Sequence, residues 1–214
     1  EQDLTQAYVP CYGLYDYSWS AMLFLPGELN FNGNIDTLAF FVRNTPSNHI
    51  MNDQRIYMSL VDYQTYENTS PPLVSEMTLV YQGNVTWNGS GWHKIALQTP
   101  FNYDGTHTLQ IVWANYDGSW LTGYPNFRAS SVGSQMVKYH YADNAMPVAN
   151  GTFATSRPNV LFVHEATGCE SERIPVYVIV EDIPEFDAGV ISIDTPESPV
   201  NFNPQEVSVT MMNY

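Results

Sequence analysis

Side-chain chemistry needs reactive groups held at set distances, so the first question is which residues of this chain meet that demand. Glycoside hydrolysis uses two carboxyl groups about 5–10 Å apart across a cleft. The acids Glu28, Asp36, Glu76 and Glu165 are scattered, and no Glu-x-Asp-x-Glu strand sets two of them on one face. A serine nucleophile of the elbow type needs Gly-x-Ser-x-Gly and a histidine base. That motif is absent, and the five histidines are dispersed. His140 and His164 fall in strand-like sequence, where a lone imidazole is ordinarily a structural group. The sequence reads as non-enzymatic.

Recognition chemistry is better supplied. Sugar sites combine aromatic rings that stack on the pyranose face with amides and carboxylates that bind its hydroxyls. Trp19, Trp87 and Trp120 fall in or beside loop-like sequence, together with Tyr15, Tyr17 and Tyr124, whereas Trp92 and Trp113 read as strand-borne and buried. The segment Asn115–Tyr124 (Asn-Tyr-Asp-Gly-Ser-Trp-Leu-Thr-Gly-Tyr) is richest in rings, turn formers and hydrogen-bonding groups. The candidate ligand-binding residues are therefore Trp120, Tyr124, Tyr116, Asp117, Trp19 and Tyr17. For each single ring, packing in a β core is the competing use.

Calcium takes six to eight oxygens, commonly from Asp, Asn and loop carbonyls. Asp104, Asp117 and Asp143 stand beside Asn102, Asn115 and Asn144 and are the candidate calcium ligands. Asn-Tyr-Asp-Gly, which occurs at Asn102 and again at Asn115, is equally a turn sequence closed by Asx hydrogen bonds. There is no EF-hand spacing and no Cys/His cluster for zinc. Cys11 and Cys169 are too far apart for a metal or redox pair. In an oxidising compartment they would tie the first strand to the last; the alternative is two separate buried thiols. Asn68, Asn84, Asn88 and Asn150 each open an Asn-x-Ser/Thr sequon, which has meaning only in a secretory pathway that reads it.

The elements that must position these groups are strands. Asn32-Gly33, Asn88-Gly89, Asp104-Gly105, Asp117-Gly118 and Asn150-Gly151 favour tight reversals. Between them lie short apolar or alternating runs at 35–43, 55–61, 77–81, 92–97, 108–113, 135–141 and 159–164. Leu109, Ile111 and Trp113 share one face of such a run, and Ile56, Met58 and Leu60 share another. This pattern predicts an all-β chain, with a jelly-roll sandwich over residues 1–170. From 171 to 214 three further strands are expected, at 174–180, 188–193 and 206–212, with an acidic, Pro-containing linker at 181–186. They match the start of an immunoglobulin-like module, which needs about seven strands to close, so the second module is expected to be incomplete.

Composition agrees. The chain has 214 residues, 44% of them hydrophobic, and 15 tyrosines. Its formal charge is −15, from 22 acidic and 7 basic residues. Binding to nucleic-acid phosphates requires clustered Lys and Arg, which are missing, and the same shortage argues against anionic membrane surfaces. No apolar run approaches the ~20 residues that span a bilayer.

From Tyr8 to Val163 the sequence resembles the jelly-roll modules of large secreted and cell-surface proteins of Bacteroidetes, related to the cleaved-adhesin domains of gingipain-type proteins. The resemblance is carried by Tyr12-Gly13-Leu14-Tyr15-Asp16-Tyr17-Ser18 and by Gly33-Asn34-Ile35-Asp36-Thr37-Leu38-Ala39-Phe40. Leu79-Val80-Tyr81-Gln82-Gly83, Gly91-Trp92, Thr99-Pro100-Phe101-Asn102-Tyr103-Asp104-Gly105 and Ser156-Arg157-Pro158-Asn159-Val160 add to it. Downstream, Asp187-Ala188-Gly189-Val190 and Pro204-Gln205-Glu206-Val207-Ser208-Val209 resemble the first two strands of an immunoglobulin-like spacer. The resemblance implies a secreted or surface-anchored module with a role in adhesion, carbohydrate contact or spacing. Together with the missing catalytic constellations, this leads to the expectation of a non-catalytic module whose partners are carbohydrate or a surface glycoprotein and neighbouring domains of the same polypeptide. It implies calcium in some relatives, although no calcium motif matches here residue by residue. Two other expectations compete: a spacer or fibre domain without a ligand, and an accessory domain of a secreted hydrolase.

Overall fold

The computed structural model describes residues 3–164, 188–195 and 208–213. The chain divides into two units, residues 1–168 and residues 169–214. In the first, the strands are β1 (Leu4–Gln6), β2 (Tyr17–Phe24), β3 (Gly33–Val42), β4 (His49–Val61), β5 (Thr78–Trp87) and β6 (Gly91–Tyr103). They continue as β7 (Thr108–Asn115), β8 (Phe127–Ser131), β9 (Val137–Ala142), β10 (Thr152–Ala154), β11 (Ser156–Pro158) and β12 (Val160–His164). Among the described residues, helix is confined to α1 (Pro26–Leu29) and a 3-10 turn at Val74–Glu76. The all-β class read from the sequence holds.

The strands form two antiparallel sheets. One runs β10-β9-β2-β7-β4-β5; in the other, β3 is flanked by β6 and β12, and β8 carries β1 and β11. One continuous core lies between them, because alternate residues of each strand turn inward. Phe40, Val42 and Phe127 come from one sheet, and Met58, Trp87 and Trp113 from the other. Phe40 meets Trp113 edge-on with ring centroids 5.6 Å apart, and Trp87 meets Phe127 at 5.2 Å. Each such ring contributes about 1.5–3 kcal/mol through burial alone.

The first sheet departs from simple alternation. Leu109, Ile111 and Trp113 of β7 face the core as their spacing predicts, yet every residue of β7 is buried. The long β4–β5 connection, residues 62–77, lies across the outer face of this sheet. Tyr66 from that connection packs with Ala21, Leu23 and Val112 in a second, smaller core. The backbone of the connection is held by Tyr66 N–H to the Gln135 carbonyl (2.8 Å) and by Gly151 N–H to the Thr69 carbonyl (2.8 Å).

In the second unit, β13 (Ala188–Thr195) and β14 (Ser208–Asn213) pair as an antiparallel two-stranded sheet. The strand expected at 174–180, the linker at 181–186, Glu165 and Cys169 lie outside the described residues, and with Cys169 the expected disulfide.

Candidate functional site: the tyrosine-lined end of the first unit

One end of the sandwich gathers the β1–β2, β3–β4, β7–β8 and β9–β10 connections, and serines begin its construction. On β2, Ser18, Ser20, Met22 and Phe24 share the inward face. The two serines stand where apolar residues would otherwise continue the core, and they pin the segment that crosses it. Ser20 Oγ donates to the Pro10 carbonyl (2.6 Å), and Ser18 Oγ accepts from Tyr12 N–H (3.3 Å).

That segment carries Tyr8, Tyr12 and Tyr15 against Tyr139 and Tyr141 of β9. Tyr12 meets Tyr8 (4.9 Å), Tyr15 (5.3 Å), Tyr141 (5.0 Å) and Tyr124 (5.4 Å), so six tyrosines form one contiguous group. Tyr8 stacks nearly parallel on Tyr139 at 5.1 Å. Burial pushes the phenols of Tyr12, Tyr139 and Tyr141 up from the ordinary tyrosine range, so they remain neutral donors and acceptors. Gly13 allows the close approach, since a Cβ there would stand 2.7 Å from Tyr124 Cβ and 2.9 Å from His49 Nε2. Burial holds the His49 imidazole below its usual value, and the charge of Asp117 opposes the shift. Cys11 is buried here, and burial drives its thiol well up.

A buried amide network fixes the β7–β8 connection. Trp113 Nε1 donates to Gln54 Oε1 (2.7 Å), and Gln54 Nε2 donates to Asn115 Oδ1 and to the Asn52 carbonyl (2.8 Å). Asn115 Nδ2 donates to the Tyr15 carbonyl (3.2 Å), and Asn115 Oδ1 also accepts from Asp117 N–H (3.1 Å). Gly118 N–H reaches the Asp16 carbonyl (3.0 Å). A bulge in β4 puts Asp53 at φ 40°, from where its carboxylate grips Arg55 at 2.7 and 3.0 Å. The Arg55 hydrogen bond holds the Asp53 carboxyl below its ordinary value. The Arg55 guanidinium lies 4.1 Å over the Tyr116 ring, and Tyr17 meets the same ring edge-on at 6.5 Å.

The six residues singled out from the sequence therefore separate. Tyr17, Tyr116 and Asp117 come together, with Asp117 Oδ1 accepting from Asn52 Nδ2 (2.8 Å) and Ser119 Oγ (3.3 Å). Trp120 stands on the same connection with 57% of its surface exposed. Tyr124 belongs to the tyrosine group. Trp19 does not join them: it is 3% exposed, and its indole N–H donates to the Pro147 carbonyl (3.0 Å). The other tryptophans need two corrections. Trp87 ends β5 facing inward and is wholly buried. Trp92 is 41% exposed because it shares the outward face of β6 with Lys94 and Ala96. Tyr8, Tyr12, Tyr139 and Tyr141 were missed. Tyr139 and Tyr141 show only the period-two spacing of a strand, and nothing local tells which crossing segment covers them.

The three candidate calcium aspartates do not share a site. Asp104 precedes β7 and Asp117 follows it, which puts them about 25 Å apart at ~3.4 Å per residue. Asp104 Oδ1 accepts the N–H groups of Thr106 (2.8 Å) and His107 (3.0 Å), and Oδ2 pairs with the His107 ring. These backbone hydrogen bonds hold its carboxyl well below the usual range. This is the Asx turn that the sequence offered as its alternative. Asp143 is exposed in the β9–β10 connection. Among the described residues, no three Asp, Glu, His or Cys side chains converge on one point that could hold a metal ion.

Fold and site together define a two-sheet, antiparallel β unit with an aromatic, hydrogen-bonding end. No protein-family model, curated protein or solved structure matches this chain.

Proposed function

We propose that this chain is a non-catalytic binding module of a secreted or surface-anchored bacterial protein, and that its tyrosine-lined end contacts carbohydrate or a glycoprotein. The observation that carries the reading is Trp120, a large ring left 57% exposed on a connection whose base is anchored by buried amides. Neutral phenols, the Asp117 carboxylate and the Asn52 amide stand beside that connection. This is the mixture of stacking surface and hydroxyl-binding groups that a saccharide requires.

The first unit is read as a jelly roll, supported by strands that change sheet at most connections, as from β2 to β3, β3 to β4 and β5 to β6. The second is read as the opening of an immunoglobulin-like module. Screening the native chain and Trp120→Ala on immobilised glycans, with and without calcium, tests the function. Binding that weakens about three- to tenfold on losing the ring, at unchanged stability, fits an aromatic contribution of about 0.5–1.5 kcal/mol. No glycan above background under either condition refutes the reading and leaves the spacer or the hydrolase-accessory role.

A further inference from the structure

The outer face of the first sheet holds a feature that the tyrosine-lined end does not use. Lys138 pairs with Ala21 in the β9–β2 register, and so points to the side crossed by residues 62–77. It is only 6% exposed. Its Nζ donates to the Ser70 carbonyl (2.8 Å) and lies 4.4 Å from the centre of the Tyr66 ring. An ammonium has three donors. No carboxylate lies within ion-pair distance of this one among the described residues, although the chain carries a formal charge of −15. A buried charge without a counterion is costly, and burial accordingly pushes the Lys138 ammonium down.

Lys138 lines a cavity of about 560 Å³. Tyr63 and Leu73 stand at its rim, both substantially exposed, and Gln110 lies at its floor. Gln110 Oε1 accepts from Tyr63 Oη (3.0 Å), and its Nε2 donates to Tyr66 Oη (3.2 Å), so both rings are held in place. The wall is thus a fixed aromatic face beside hydroxyl and amide groups, with one buried ammonium held by a carbonyl and a ring but paired with no carboxylate. Glu67 and Glu76 also line the cavity, both exposed and neither in ion-pair contact with Lys138. We propose that this cavity binds a carboxylate-bearing small molecule of sugar size, with the carboxylate on Lys138 and the ring against Tyr63. The site is separate from the tyrosine-lined end and stands or falls apart from it.

The test titrates the full chain with D-galacturonate, its methyl ester, D-galactose and acetate, followed by ¹H–¹⁵N NMR. Galacturonate is expected to shift the amides of Ser70, Gln110 and Lys138. The ester and galactose should bind at least about tenfold more weakly, the factor carried by a charge-assisted hydrogen bond. Lys138→Met should abolish the preference for acid over ester. Tyr63→Ala, at the rim, should weaken galacturonate several-fold while keeping that preference, and it serves where Lys138→Met fails to fold. Equal binding of acid and ester, acetate binding as tightly as galacturonate, shifts elsewhere on the protein, or no binding at all would each overturn the proposal.

Discussion

Replacing Gln54 by Leu should be among the most damaging single changes on β4, although it exchanges a polar residue for an apolar one of similar size inside a core. Gln54 is wholly buried and bridges Trp113 Nε1 to Asn115 Oδ1. Without it the Trp113 N–H has no acceptor, at a cost of about 1–3 kcal/mol for a stranded buried donor. Asn115 Oδ1 keeps the Asp117 N–H, so its loss is smaller, about 0.5–1.5 kcal/mol. The sum is about 1.5–4.5 kcal/mol, read from urea unfolding followed by tryptophan fluorescence. Trp113→Phe removes the stranded donor, so the double variant Gln54→Leu/Trp113→Phe should be less destabilised than the sum of the two single ones. Gln82→Leu, at the exposed partner position of Arg55 on β5, loses only a solvent-facing hydrogen bond from its Nε2 to Asp53 (3.0 Å) and is the control; it should stay within about 0.5 kcal/mol of the native chain. If Gln54→Leu costs no more than Gln82→Leu, or the double variant is strictly additive, the network does not anchor the β7–β8 connection.

Two further outcomes follow from exposure and charge. Of the five tryptophans, Trp92 and Trp120 should be oxidised quickly by N-bromosuccinimide and Trp19, Trp87 and Trp113 slowly, as read by peptide mass spectrometry; rapid oxidation of Trp19 or Trp87 would contradict their burial. The hydrogen bond and charge of Asp104 raise the His107 pKa, so that pair contributes below the ordinary imidazole pKa near 6.5 and its contribution fades as pH rises through the higher folded value. Asp104, with its pKa lowered, contributes above the ordinary carboxylate range and loses that only as pH falls through its depressed value. An NMR titration should place the His107 midpoint above 6.5 and bring it back towards 6.5 in Asp104→Asn; an unchanged midpoint would show that the pair does not form.

The fold class was legible because turn dipeptides and period-two runs are local signals. The runs at 55–61 and 108–113 fall inside β4 and β7, and the run at 35–43 overlaps β3 up to its last residue, Val42. β2 was not legible, since Ser18, Trp19, Ser20 and Ala21 are all buried and give no polar-out alternation. The cause is non-local: residues 62–77 and the β9–β10 connection cover its outer face, and the segment from Tyr8 to Tyr15 covers part of its inner one. The tryptophans failed for a related reason. Proximity to a turn says nothing about which way a strand-end ring points, so Trp87 and Trp92, on either side of the Asn88-Gly89 turn, exchanged roles.

The same long-range covering explains why tyrosine, rather than phenylalanine or lysine, accumulates at the end of this unit. A ring there is part wall and part surface. The apolar body packs on its neighbours, and the hydroxyl must find water or a partner. A phenylalanine would leave no polar handle at the rim, and a lysine would bring a charge that burial makes costly, as it does at Lys138. The Tyr12 ring meets Tyr124 edge-on, and burial first of all pushes its phenol up and keeps it neutral. Six tyrosine rings in mutual contact therefore line this end of the unit, beside the segment that Ser18 and Ser20 hold, with no charged group among them. The β7–β8 connection is held at its base by Asn115, and beyond that anchor Trp120 stands 57% exposed.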